Sequence, residues 1–251
     1  MGGAGAAARA GFLGRHANIY VYVPNLIGYV RIVLTLLALG FMPTYPEACV
    51  GAYFLAFVCD ELDGRAARTF NQTSTLGAVL DMVTDRVATT GLLALLCATY
   101  PGWSILFIAL IALDIFSHWF QMYASLLAGA STHKDVGSRS WLVRTYYRNR
   151  LFMGFCCVCC EVAYLALYLL HLPAYQDAGL LRLALPAPLA AAAARSGALG
   201  ALAARWRGGL PGAALVALAA LPGVAVKQAC NWVQLRAAVA GLVEFDLKRS
   251  A

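Results

Sequence analysis

The sequence predicts an all-α fold, a polytopic membrane bundle of about six transmembrane helices, and three observations lead there. Of 251 residues, 61% are hydrophobic and 12% are charged, with a mean hydropathy of +0.70, which departs from soluble globular composition. The apolar residues gather in runs of about 20, the length that crosses a hydrocarbon core. Turns rich in Pro, Gly and Asn separate most of these runs and are too short to hold a second domain. One membrane domain over 19–240 is expected, between a flexible tail at 1–18 and a cytosolic tail at 241–251, with an alanine-rich insertion at about 180–210.

The opening residues, MGGAGAAARAGFLGRHAN, are small, basic and free of acids. They read as a flexible tail, and an organellar transit peptide shares that composition. Ala6 breaks the myristoylation pattern that Gly2 begins. The first span runs from Ile19 to Phe41, with the helix proper starting near Pro24 because proline fits a first helical turn. Arg31 lies inside it, either snorkelling to the interface or facing anions, and the acids downstream favour the second. After the Pro43 to Pro46 turn, a second helix starts at about Ala48 and continues through Asp60 to Ala67. Asn71 to Ser74 is turn chemistry, and the third span runs from about Leu76 to Thr99.

Pro101-Gly102 turns the chain into a fourth span from about Trp103 to Ala128. Asp114 and His118 fall four apart on one of its faces, where polar groups join membrane helices or line a cavity. A basic loop from His133 to Arg150 follows, then a fifth span from about Leu151 to Leu172, ended by Pro173. Within 174–212, Ala187 to Ala204 reads as a surface-lying helix or as an extra weakly hydrophobic segment. The last span covers about Ala213 to Val239 and carries Lys227 and Asn231.

Lys and Arg in short loops orient the bundle. The turns at 41–46 and 99–102 have none, whereas 64–68 and 134–150 are rich in them, so both termini and the polar end of the second helix are expected in the cytosol. Arg182, Arg195, Arg205 and Arg207 then fall on the opposite side, against the trend. The net charge of +7 is read as this loop charge and as contact with anionic lipid, since no nucleic-acid motif accompanies it. Among eight cysteines, Cys156, Cys157, Cys159 and Cys160 are too close together for usual zinc spacing. They read as helix packing, with reversible acylation as the sharper alternative.

The chemistry concentrates between Asp60 and Asp85. Asp60 and Asp63 lie three apart, Asp81 and Asp85 four apart, so each pair projects from one helical face. Four carboxylates between apolar segments are expensive unless something holds them there. Two facing pairs make an oxygen-rich cage of the kind hard divalent cations prefer. A cation transporter would also place carboxylates in a membrane, but it would spread them along the membrane depth rather than at one face.

Written as Asp60-x2-Asp63-Gly64-x2-Ala67-Arg68-x8-Gly77-x3-Asp81-x3-Asp85, the stretch matches every fixed position of a known signature, and the chain resembles the CDP-alcohol phosphotransferase family. Further runs, VPNLIGYVRIV at 23–33, FNQTSTLGAVLDMVTDR at 70–86, DIFSHWFQMY at 114–123, STHK at 131–134 and LVRTYYRNR at 142–150, resemble its inositol-lipid branch. The resemblance implies transfer of the phosphatidyl group of CDP-diacylglycerol to myo-inositol, with CMP leaving. It implies that Asp60, Asp63 and Asp81 bind metal and that Asp85 is both ligand and general base. Gly64, Arg68 and Ser74 would bind the CDP-linked donor, with Ala67 and Gly77 leaving room for the nucleotide; Asn25 and Arg31 are further donor-site candidates.

The physical reading of the same residues agrees. Two Mg2+ or Mn2+ ions in a four-aspartate cage would offset the crowding of like charge and clamp a pyrophosphate for in-line displacement. Gly64 and Gly77 let a group approach the backbone, and Arg68 can donate twice to a phosphate. For the acceptor, Lys134, Arg139 and Arg144 of the basic loop are the candidates. Serine, glycerol phosphate, or a diacylglycerol receiving a phosphoalcohol remain alternative acceptors. The resemblance also implies a homodimer in the endoplasmic reticulum membrane, with the site facing the cytosol.

Overall fold

The computed structural model describes residues 18–127, 149–176 and 209–250. Six long helices make up most of it: α1 (Val23–Phe41), α2 (Pro46–Thr69), α3 (Thr75–Thr99), α4 (Ser104–Leu127), α5 (Arg150–His171) and α6 (Gly212–Ser250). Their ends follow from local chemistry. Pro24 and Pro46 sit in the first turns of α1 and α2, where a missing N–H costs nothing. The Ser74 side chain caps α3 by accepting from the Gly77 N–H at 3.0 Å, and Asn149 caps α5 through the Phe152 N–H at 3.1 Å. Asn71, with φ of +53°, takes the left-handed conformation that ends α2, which asparagine tolerates better than most residues.

Four of the six helices are long and apolar enough to cross a membrane: α1, the Pro101–Leu127 segment containing α4, α5 from Leu151, and α6. Six apolar spans were expected. α2 and α3 fall short because they carry the charges, with Asp60, Glu61, Asp63, Arg65 and Arg68 on one and Asp81, Asp85 and Arg86 on the other. α6 continues past Val239 to Ser250 without a break, although Pro222 lies inside it.

Many large apolar side chains face outward, and several polar ones are buried. Ile105, Leu151 and Trp119 face outward at 78%, 87% and 47% exposure, while Asn25, Asn231 and Gln234 are each 1% exposed. In lipid that arrangement is the stable one, because hydrocarbon solvates apolar side chains and leaves polar ones to find partners inside. The chain is thus an all-α polytopic membrane protein.

α1 packs on α2 and α3, and α6 packs on α5 and α4, with α3 also touching α4 and α5. One apolar cluster, including Leu92, Leu93, Leu96, Tyr164 and Tyr168, fills the part of the bundle where α3 and α5 meet. Close helix approach is built in: a Cβ added at Gly223 of α6 would lie 2.5 Å from both Cys159 Cβ and Sγ on α5. Cys156, Cys159 and Cys160 are free and buried, with Cys156 packed beside Cys230 of α6, so these thiols serve helix contact. A polar seam joins α4 to α6, where Asn231 Nδ2 donates to Asp114 Oδ1 at 3.5 Å and Gln234 Nε2 to the Ser117 carbonyl at 3.3 Å.

Candidate functional site

α2 and α3 make almost no backbone contact with each other. They are held apart by α1, and their carboxylates meet across the gap. One carboxylate oxygen from each of Asp60, Asp63 and Asp81 lies within 4.8 Å of the others. Arg31 reaches the same point from α1, with Nη1 at 2.7 Å from Asp60, 2.9 Å from Asp81 and 3.8 Å from Asp63. Its Nη2 pairs with Asp85, so one buried guanidinium links all four aspartates.

The charge count shows what such a cluster can hold. One guanidinium against four carboxylates leaves an excess of negative charge, and a purely oxygen donor set of this spacing suits hard divalent cations rather than zinc or iron. The carboxylates of Asp60, Asp63 and Asp81 therefore fit the donor set of a Mg2+ or Mn2+ site.

The cluster lines a cavity of about 830 Å³. Gly64 and Arg68 line it as well; a Cβ at Gly64 would come within 3.4 Å of Arg68 Nη1, so the glycine gives the arginine room at the wall. Asn25, Ala67, Ser74 and Gly77 do not line it. Three of them form a joint between α1 and α3: a Cβ at Gly77 would fall 2.7 Å from Asn25 Oδ1 and 3.1 Å from Ser74 Oγ. Asn25 Nδ2 donates to the Ile19 carbonyl at 2.6 Å, and the Val23 N–H donates to Gln72 Oε1 at 2.9 Å. The Ala67 carbonyl accepts from the Gln72 N–H at 2.9 Å. Lys134, Arg139 and Arg144 lie outside the described residues.

Asp114 and His118, expected to join helices or line a cavity, do line it, whereas sequence reasoning passed over Tyr53, Arg86, Thr89, Glu161 and Gln228. Tyr53 and Thr89, the latter at 2.7 Å, both donate to Glu161, and all three line the cavity. Arg86 of α3 lies 3.0 Å from Asp114 of α4 and 3.8 Å from Asp85. Lys227 and Gln228 of α6 complete this wall. The available signal was a charged residue inside an apolar run, which in a membrane helix marks a functional position by default.

A family model described as CDP-alcohol phosphatidyltransferase matches residues 21–170. An Arabidopsis thaliana protein, the probable CDP-diacylglycerol–inositol 3-phosphatidyltransferase 2, is 51% identical over 154 residues, covering 61% of this chain and 68% of the relative. The CDP-diacylglycerol–inositol 3-phosphatidyltransferase of Saccharomyces cerevisiae is 45% identical over 153 residues, 61% of this chain and 70% of the relative. The Homo sapiens protein of that name is 40% identical over 179 residues, 69% and 84% of the two chains. No solved structure matches.

Proposed function

Since the chain belongs to the CDP-alcohol phosphatidyltransferase family, we propose that it moves the phosphatidyl group of CDP-diacylglycerol to myo-inositol, giving phosphatidylinositol and CMP. The relatives that carry this activity in their names support the choice of donor and acceptor. The single observation that carries the mechanism is the convergence of Asp60, Asp63 and Asp81 within 4.8 Å, with Asp85 joined to them through Arg31.

Asp60, Asp63, Asp81 and Asp85 would hold two Mg2+ or Mn2+ ions, which would supply charge neutralisation at the pyrophosphate. Arg68, at the rim, donates to the donor's phosphates, and Gly64 keeps the wall open beside it. Asp85 takes the proton of an inositol hydroxyl. The freed oxygen forms a bond to the lipid-bearing phosphorus while the bond from that phosphorus to the bridging oxygen breaks, and CMP leaves with the electron pair. The proton remains on the Asp85 carboxyl until water removes it.

Arg65 and Arg68 beside the α2 to α3 turn support a cytosolic mouth for the cavity, where a water-soluble alcohol meets a membrane-held donor. An endoplasmic reticulum location and a homodimer complete the proposal. The test is purified protein with labelled CDP-diacylglycerol, a divalent cation and a panel of inositol, serine, glycerol phosphate and diacylglycerol. CMP release that depends on inositol alone is the expected result, and release that ignores inositol refutes the reading.

A further inference from the structure

The cavity that holds the aspartate cluster is also lined, from the four helices α3 to α6, by Arg86, Asp114, Glu161, Tyr164, Lys227 and Gln228, a chamber wall that the phosphoryl chemistry above does not employ. By formal charge two of these are cations and two are carboxylates, so this wall is balanced, in contrast to the aspartate cluster in the same cavity. Lys227 is 7% exposed inside a helix apolar enough to span a membrane, where an ammonium needs partners. Among the described residues it places one donor on Asn231 Oδ1 at 2.7 Å, and an ammonium has three. Arg86 Nε and Asp114 Oδ2 are in buried ion-pair contact at 3.0 Å, off the geometry of a full hydrogen bond. A buried ammonium with spare donors is costly unless something satisfies them.

We propose that this chamber is the acceptor subsite, and that Lys227, Glu161, Arg86 and Asp114 together select an uncharged polyhydroxylated ring. The inference rests on the function proposed above and names its specificity device. A ring with a hydroxyl on every carbon offers donors and acceptors in all directions, which suits donors and acceptors arriving from four helices. A phosphorylated alcohol would add uncompensated negative charge, and a cationic one the reverse, each against a wall with no net charge to receive it. Arg86, bridging Asp85 and Asp114, places the chamber directly beside the group assigned to take the proton.

The test uses the full-length protein in detergent, with KM measured separately for myo-inositol and CDP-diacylglycerol in wild type, Lys227→Gln and Glu161→Gln. Each variant is expected to raise the KM for inositol by tenfold or more and to leave that for CDP-diacylglycerol within twofold. Competition adds a readout that a structural role would not move. Lys227→Gln leaves the chamber negative and should gain sensitivity to a protonated aminodeoxyinositol; Glu161→Gln leaves it positive and should gain sensitivity to inositol 1-phosphate. The double variant restores balance and should lose both gains. Variants without turnover are read by binding of tritiated myo-inositol. Binding or KM within twofold of wild type in both single variants overturns the subsite, as does a common response of both variants to the two charged competitors. A wild-type protein that turns over another alcohol but not inositol overturns the proposed function itself, a distinct result.

Discussion

Gly77→Ala tests whether the joint between α1 and α3 is a steric necessity. The new methyl would lie 2.7 Å from Asn25 Oδ1 and 3.1 Å from Ser74 Oγ. Asn25 is 1% exposed and tied by its Nδ2 to Ile19, so it cannot swing into open space, and displacing Ser74 removes the cap of α3. Overpacking costs about 1–3 kcal/mol and loss of the cap about 1 kcal/mol. Alanine returns about 1 kcal/mol of helix propensity. The net loss is about 1–3 kcal/mol, or a fall in apparent Tm of about 3–10 °C for a chain of this size. The control is Gly40→Ala in α1, whose Cβ would meet nothing within 4 Å and which should leave the midpoint unchanged or raise it. Thermal unfolding of both detergent-solubilised variants, followed by tryptophan fluorescence, reads the difference. Equal midpoints for the two would show that Gly77 is not needed for packing and would return it to a role at the nucleotide.

Asp85→Asn keeps the side-chain volume and removes the base, so kcat should fall by about 10²–10⁴ with the KM for CDP-diacylglycerol changed less than threefold; turnover within tenfold of wild type would take Asp85 out of the proton step. Asp63→Asn removes one of three convergent carboxylates, and Mn2+ affinity read by electron paramagnetic resonance on the resting protein should fall by about tenfold or more. Unchanged Mn2+ binding would mean that the cluster is not the metal site.

The helices were legible because their signal is local. An apolar run with a proline at its start and a polar cap declares both its type and its ends, and α3 begins at Thr75 and ends at Thr99, close to where Ser74 and the Pro101-Gly102 turn place it. The aspartate spacing was local too, since three and four residues define one helical face. The space between the helices was not legible. That α2 and α3 stand apart with α1 between them depends on contacts such as Asn25 against Gly77, and no spacing within either helix encodes those. Arg31 illustrates the boundary: its presence in an apolar span signalled that it needed anions, but only the fold shows it reaching all four.

The chamber extends that lesson. Arg86, Asp114 and Glu161 are each anomalous on their own helix, and each makes sense only through a residue far away in the chain: Arg86 with Asp114, Glu161 with Tyr53 and Thr89. A charge within a membrane helix therefore carries long-range information that its neighbours in sequence do not, because lipid offers it no alternative partner. Lys134, Arg139 and Arg144 lie outside the described residues. Buried charges held by partners from other helices constrain an acceptor site tightly, and for that reason we place the choice of alcohol in the chamber.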